Sequence, residues 1–161
     1  MFHNRQGRRF ADVSANSGPW LRQPHMARGT AVADFDRDGD ADIAVGCLNG
    51  PAALLQNEWS QAATVDSAHW LRLELIGRES NRQGVGAMVR IDTDAQRQVT
   101  TVQAGCSYLS CDEGVALVGL GVAPQAREVV VAWPNGRRET WRNLPANRSH
   151  RLVEGDGREE N

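Results

Sequence analysis

Between Asp34 and Asp42 every second residue is aspartate: Asp34-Phe35-Asp36-Arg37-Asp38-Gly39-Asp40-Ala41-Asp42, five carboxylates in nine residues. Such crowding is unfavourable unless something neutralises it, and a hard, oxygen-seeking cation does so best. Calcium accepts roughly six to eight oxygens at flexible geometry, so a tight loop of alternating Asp side chains can wrap it. Gly39 supplies the sharp turn by which the chain doubles back. The opening positions read like an EF-hand, yet the twelfth, where an EF-hand carries a bidentate glutamate, is Val45. The flanks, residues 30–33 and 43–46, are short apolar runs suited to buried strands rather than helices. The stretch therefore predicts strand, calcium loop, strand. Asp34, Asp36, Asp38 and Asp42 are the expected side-chain ligands, and the backbone carbonyl of Asp40 completes the set. The alternative is an acidic, solvated hairpin turn without metal.

The net charge of −2 conceals a local asymmetry. The acidic loop, with five Asp and one Arg, sums to −4, so the remainder of the chain sums to +2. All 18 basic residues are arginines, scattered rather than gathered, which is not the footprint of a nucleic-acid binder. No apolar run approaches the ~20 residues that span a bilayer. The first nine residues lack the apolar core of a signal peptide. Taken alone, that start predicts a cytoplasmic protein, whereas an all-Asp calcium site suits a calcium-rich, extracytoplasmic setting. Of the three cysteines, Cys106 and Cys111 are close enough in sequence to bridge across a turn, or they are two small hairpin residues. Neither the cysteine spacing nor the dispersed histidines suggest zinc. Cys47 is expected in the core.

Alternating and apolar stretches predict strands at residues 9–14, 30–35, 43–48 and 52–56, with Asn49-Gly50 as a hairpin turn. The polar, Ala-rich residues 59–67 read as a linker. Beyond it, Trp70-Leu71-Arg72-Leu73-Glu74-Leu75 alternates strictly, so Leu71, Leu73 and Leu75 face inward. Further strands are expected at 87–91, 98–103, 115–120, 128–133, 138–141 and 150–153, with Pro134-Asn135-Gly136 a tight turn. No helical period is sustained, and the chain reads as all-β: one unit over residues 1–58 and a second over 68–155. The charged residues 156–161 read as a disordered tail.

Phe10-Ala11-Asp12-Val13, Arg28-Gly29-Thr30-Ala31 and the acidic loop resemble the FG-GAP/VCBS-type repeat, a calcium-binding blade of integrin-like β-propellers. The second half resembles the ASPIC/UnbV domain of cartilage acidic protein-like proteins. That resemblance rests on Asn81-Arg82-Gln83-Gly84-Val85-Gly86-Ala87-Met88-Val89, Ala104-Gly105-Cys106-Ser107-Tyr108-Leu109-Ser110, Gly119-Leu120-Gly121 and Trp133-Pro134-Asn135-Gly136. Ala116 to Gly121 lacks the histidine usual there, and Met88 replaces a common arginine. Together the resemblances imply a partial propeller blade followed by a small antiparallel β-sandwich or barrel-like domain. They also imply the C-terminal part of a longer exported protein, extracellular or periplasmic, with further blades before it. Such a context removes the conflict over localisation.

The expected function is a non-enzymatic, calcium-binding extracellular interaction module whose partner is a protein or a glycan. Two alternatives stand beside it. One is an accessory or enzyme of a biosynthetic pathway, although the chain contains no G-x-S-x-G or H-E-x-x-H, and pairs such as Asp112 and Glu113 read as turn residues. The other is a carbohydrate-binding module. Trp20 and Trp59 are its loop-borne surface candidates, while Trp70, Trp133 and Trp141 read as core anchors.

Overall fold

The structure, a computed structural model, describes residues 1–59, 68–106 and 108–159. It is almost wholly β. Strands β1 (Phe2–Arg5) and β2 (Arg9–Asp12) form an antiparallel ribbon around Gln6 and Gly7, both at positive φ. Two short 3-10 turns, Ser14–Asn16 and Trp20–Arg22, lead into β3 (Ala27–Ala33), β4 (Asp42–Cys47) and β5 (Ala53–Leu55). These three pair antiparallel in chain order, and the acidic loop is the β3–β4 connection.

The second half begins with β6 (His69–Ile76), β7 (Met88–Asp92), β8 (Arg97–Thr101) and β9 (Ala116–Gly121). It closes with β10 (Gln125–Ala132), β11 (Arg138–Pro145), β12 (Arg148–Val153) and β13 (Arg158–Glu159). One sheet has the order β13-β11-β10-β7-β8, the other β12-β6-β9. A single apolar cluster draws on both. Leu71, Leu73, Leu75, Val118, Leu120 and Leu152 of the smaller sheet meet Val89, Ile91, Val129 and Val131 of the larger. This is the two-layer arrangement that buries one face of each sheet. The alternation expected over residues 70–75 is present: Leu71, Leu73 and Leu75 are at most 1% exposed. Truncating any of them to alanine leaves a cavity costing about 2–5 kcal/mol.

Three features differ from expectation. The second unit is not purely antiparallel, because β12 runs parallel to β6 from Arg148↔Leu71 to Val153↔Ile76. The chain leaves β11 on one sheet and crosses to the other, and such a crossover permits a parallel neighbour. The Asn147 amide, bonded to the Trp70 carbonyl at 2.8 Å, sets the register. The charged tail is also not without structure, since β13 pairs with β11 through Glu139↔Glu159 and Thr140↔Arg158. Gly157 permits this approach, as a Cβ there would lie 2.8 Å from the Trp141 ring. Finally, β1 lies in a polar segment without alternation, held by cross-strand pairing with β2. Of the expected linker, residues 60–67 lie outside the described residues, as do 160 and 161 of the tail.

The halves differ sharply in burial. Among the described residues before His69, the buried apolar side chain is Val45, while Phe2, Phe10 and Phe35 are about 70% exposed. Among the described residues no helix is long and apolar enough to cross a membrane.

Candidate metal centre

The β3–β4 loop curls because its own side chains hold its backbone. Asp36 accepts the Asp38 amide and Asp38 accepts the Asp40 amide at 2.9 Å, each two residues on. Such Asx-type bonds are how aspartate bends a loop. Between them Arg37 and Gly39 adopt positive φ, 63° and 96°. For arginine that conformation costs about 1 kcal/mol, a local strain the surrounding loop must sustain. The product is convergence. One carboxylate oxygen from each of Asp34, Asp36 and Asp38 lies within 4.8 Å of the others.

Asp34 is the inner member of the trio. It is 4% exposed, and neither carboxylate oxygen closes a hydrogen bond of ordinary geometry. Burial pushes its carboxyl above the ordinary range, the Gly39 and Arg37 amides temper that effect, and the Asp38 and Asp36 charges add to it. A buried, unpaired carboxylate facing two others is electrostatically unfavourable by itself and becomes favourable around a cation. The donor set suits a hard, oxygen-liganded ion of the calcium type.

The five predicted ligands therefore divide. The structure brings the carboxylates of Asp34, Asp36 and Asp38 together, and that of Asp42 lies outside the trio; Asp40 is expected through its backbone carbonyl, not its carboxylate. Asp42, 2% exposed, accepts the Phe35 amide at 3.0 Å and the Asn57 amide at 2.8 Å, and so ties the loop entrance to the chain after β5. Asp36 also receives the Gln56 side-chain amide.

The loop is held from outside its own sheet by groups the sequence reading passed over. Gly39 abuts Trp70 at the start of β6, where a Cβ would overlap the indole ring. The segment before β9 fastens β3 along its edge. Ser110 Oγ donates to the Thr30 carbonyl at 2.7 Å, Asp112 accepts the Val32 amide at 2.8 Å, and the Glu113 amide donates to the Val32 carbonyl at 2.8 Å. Glu113 Oε2 then accepts the Asp34 amide, and its Oε1 is paired with Arg72 of β6. Asp112 and Glu113, read as turn residues, are thus the fasteners of the acidic loop. No signal could have identified them, since about 80 residues separate each bonded pair.

Other candidates find structural employment. Trp133 is 2% exposed and donates to Glu139 at 2.9 Å, Trp141 packs against the core, and Trp20 stacks on His25 at 3.7 Å. Trp59, 60% exposed, remains a surface aromatic. Cys106 and Cys111 are free, exposed thiols, and Cys47 is half-buried.

Residues 77–159 match the family described as ASPIC and UnbV. A stretch of 55 residues, 34% of this chain, is 47% identical to cartilage acidic protein 1 of Homo sapiens. The corresponding proteins of Mus musculus and Xenopus tropicalis are 46% identical over 55 residues and 41% over 54. The match spans 8% of the length of each of these relatives.

Proposed function

The chain belongs to the ASPIC and UnbV family, whose pattern it matches over residues 77–159, and from that premise we propose that it is a calcium-stabilised, non-enzymatic extracellular interaction module. One observation carries the calcium reading: both Asp34 carboxylate oxygens are buried, without a hydrogen bond of ordinary geometry, beside Asp36 and Asp38. Asp34, Asp36 and Asp38 would hold the ion, with the Asp40 carbonyl and Asp42 closing the set. The ion supplies charge neutralisation and rigidity rather than chemistry on a substrate. It would lock a loop that is already fastened through Glu113 and Trp70 to the family domain.

Two buried carboxylates of the β-sandwich support a non-enzymatic reading, because each is saturated structurally. Glu154 accepts five hydrogen bonds, and Asp92 is clamped by Arg97 at 2.6 and 3.2 Å. An all-oxygen site of this kind suits the calcium levels found outside the cytoplasm, which favours an extracellular or periplasmic home. The exposed Phe2, Phe10 and Phe35 around a sheet that buries Val45 fit a blade packed against other blades of a propeller.

Calorimetric titration of the chain with calcium, paired with thermal melting in calcium and in chelator, tests the reading. Saturable one-site binding that raises the melting temperature, and is lost in Asp36→Ala and Asp38→Ala, is expected. At calcium about one hundred times Kd the stabilisation should reach ~2.7 kcal/mol. Identical melting in calcium and chelator, with no heat of binding, would overturn it.

A further inference from the structure

On the sandwich face opposite the core, β6 and β12 present Arg72, Glu74 and Arg151, the residues alternating with buried Leu71, Leu73, Leu75 and Leu152. Together with Arg78, Arg82 and Glu113 they line an open cleft of about 620 Å³. That volume lies within the roughly 300–1,000 Å³ of small-molecule sites. Four guanidinium groups against two lining carboxylates give +2, of which Asp156, paired with Arg78 at 2.8 Å, cancels one, leaving a local excess of +1 in a chain whose net charge is −2. The excess is therefore a property of this place.

Arg72 shows that the cleft is more than an arginine-rich surface. It is 8% exposed, its Nη2 is paired with Glu113, and its Nε has no hydrogen-bond partner. A buried cationic side chain with one N–H unmatched is costly, and an oxyanion bound beside its guanidinium in the cleft would offset that cost. Arg82, exposed at the rim, forms no ion pair among the described residues. Arg151 is held to Glu74 at 3.3 Å by a contact that a stronger acceptor can compete for, being exposed to water.

The two glutamates restrict what the ligand can be. Interspersed among the arginines, they repel a chain of carboxylates but accept hydroxyl groups. Ile76, Val115 and Val153 add an apolar strip along the same cleft. We propose that this cleft binds an acidic saccharide, its carboxylate on Arg72 and Arg82, its hydroxyls on Glu74 and Glu113, and its C–H face on the valines. This deepens the interaction-module reading by assigning a ligand class; the cleft shares Glu113 with the brace of the acidic loop, so the test variants sit at Arg82 and Arg151, away from that brace.

The test is an NMR titration of the full chain, at constant ionic strength, with D-galacturonate, D-galactose, inorganic sulfate and a hexa-aspartate peptide. Galacturonate should bind saturably at one site with shifts confined to the cleft residues, and galactose should bind at least about tenfold more weakly. Arg82→Gln and Arg151→Gln, both at exposed positions, should each weaken galacturonate about tenfold while leaving the melting temperature unchanged. Three results would overturn the proposal: no saturable binding of galacturonate, sulfate or the peptide binding as tightly, or affinity unchanged in both variants. The calcium titration is the separate control: calcium binding retained without saturable galacturonate binding overturns this proposal and leaves the calcium-stabilised module standing.

Discussion

Glu154 is fully buried and accepts the amides of Arg78, Glu79 and Ser80 at 2.8–2.9 Å, together with the Ser80 hydroxyl and the Asn135 side-chain amide. Burial alone would raise its carboxyl, but the Ser80, Arg78 and Glu79 amides outweigh burial and hold it at about 2, below an ordinary 4.5. A carboxylate depressed in the folded state contributes stability that is complete above the unfolded value and is lost as pH falls through the folded one. Unfolding midpoints in urea should therefore fall between about pH 4.5 and pH 2, and Glu154→Gln should flatten that dependence. At neutral pH the same variant leaves several buried amide donors poorly matched and should cost about 2–4 kcal/mol. A midpoint independent of pH across this window would contradict the assignment. Gly39 is the second residue with a position-specific demand. Its φ of 96° and its contact with Trp70 both exclude a side chain. Gly39→Ala should destabilise the chain by more than about 1 kcal/mol, and Trp70→Ala in the same chain should recover part of the loss, measured by a double-mutant cycle.

At the scale of elements, the informative contact is the edge of β3 with residues 110–113. An edge strand otherwise exposes unpaired amides and carbonyls, and here Ser110, Asp112 and Glu113 occupy those of Thr30, Val32 and Asp34. Glu113→Ala removes the acceptor of the Asp34 amide and leaves Arg72 without its ion-pair partner, so it should cost about 2 kcal/mol. Hydrogen exchange should quicken at the amides of residues 32 and 34 in that variant while β10 keeps its protection; equal exchange in both proteins would remove the fastener role. Strand placement was legible from alternation wherever one face is buried, as in β6, β9 and β10. It was not legible where pairing alone makes the strand: β1 is exposed throughout, and β13 has two residues, both exposed.

Across the whole molecule, the apolar cluster runs from Leu71 to Leu152 and includes no residue of the first three sheet strands after the ribbon. A fragment of residues 68–159 should therefore fold with dispersed NMR signals and a cooperative melt, whereas residues 1–59 should not; a cooperative transition in the shorter fragment would contradict this distribution of burial. The local rules of the chain were sufficient for the all-β class, the inward face of β6, the hairpin turns and the acidic loop, because alternation, turn chemistry and charge spacing act over a few residues. Only tertiary structure set the Asp34, Asp36 and Asp38 carboxylates apart from that of Asp42, made Glu113 a brace, turned β12 parallel to β6, and gathered Arg72, Arg78, Arg82 and Arg151 around one cleft. Each of those outcomes depends on groups brought together from distant parts of the chain. Spacing along the chain holds no record of them, since burial and hydrogen-bond satisfaction are decided when the sheets pack.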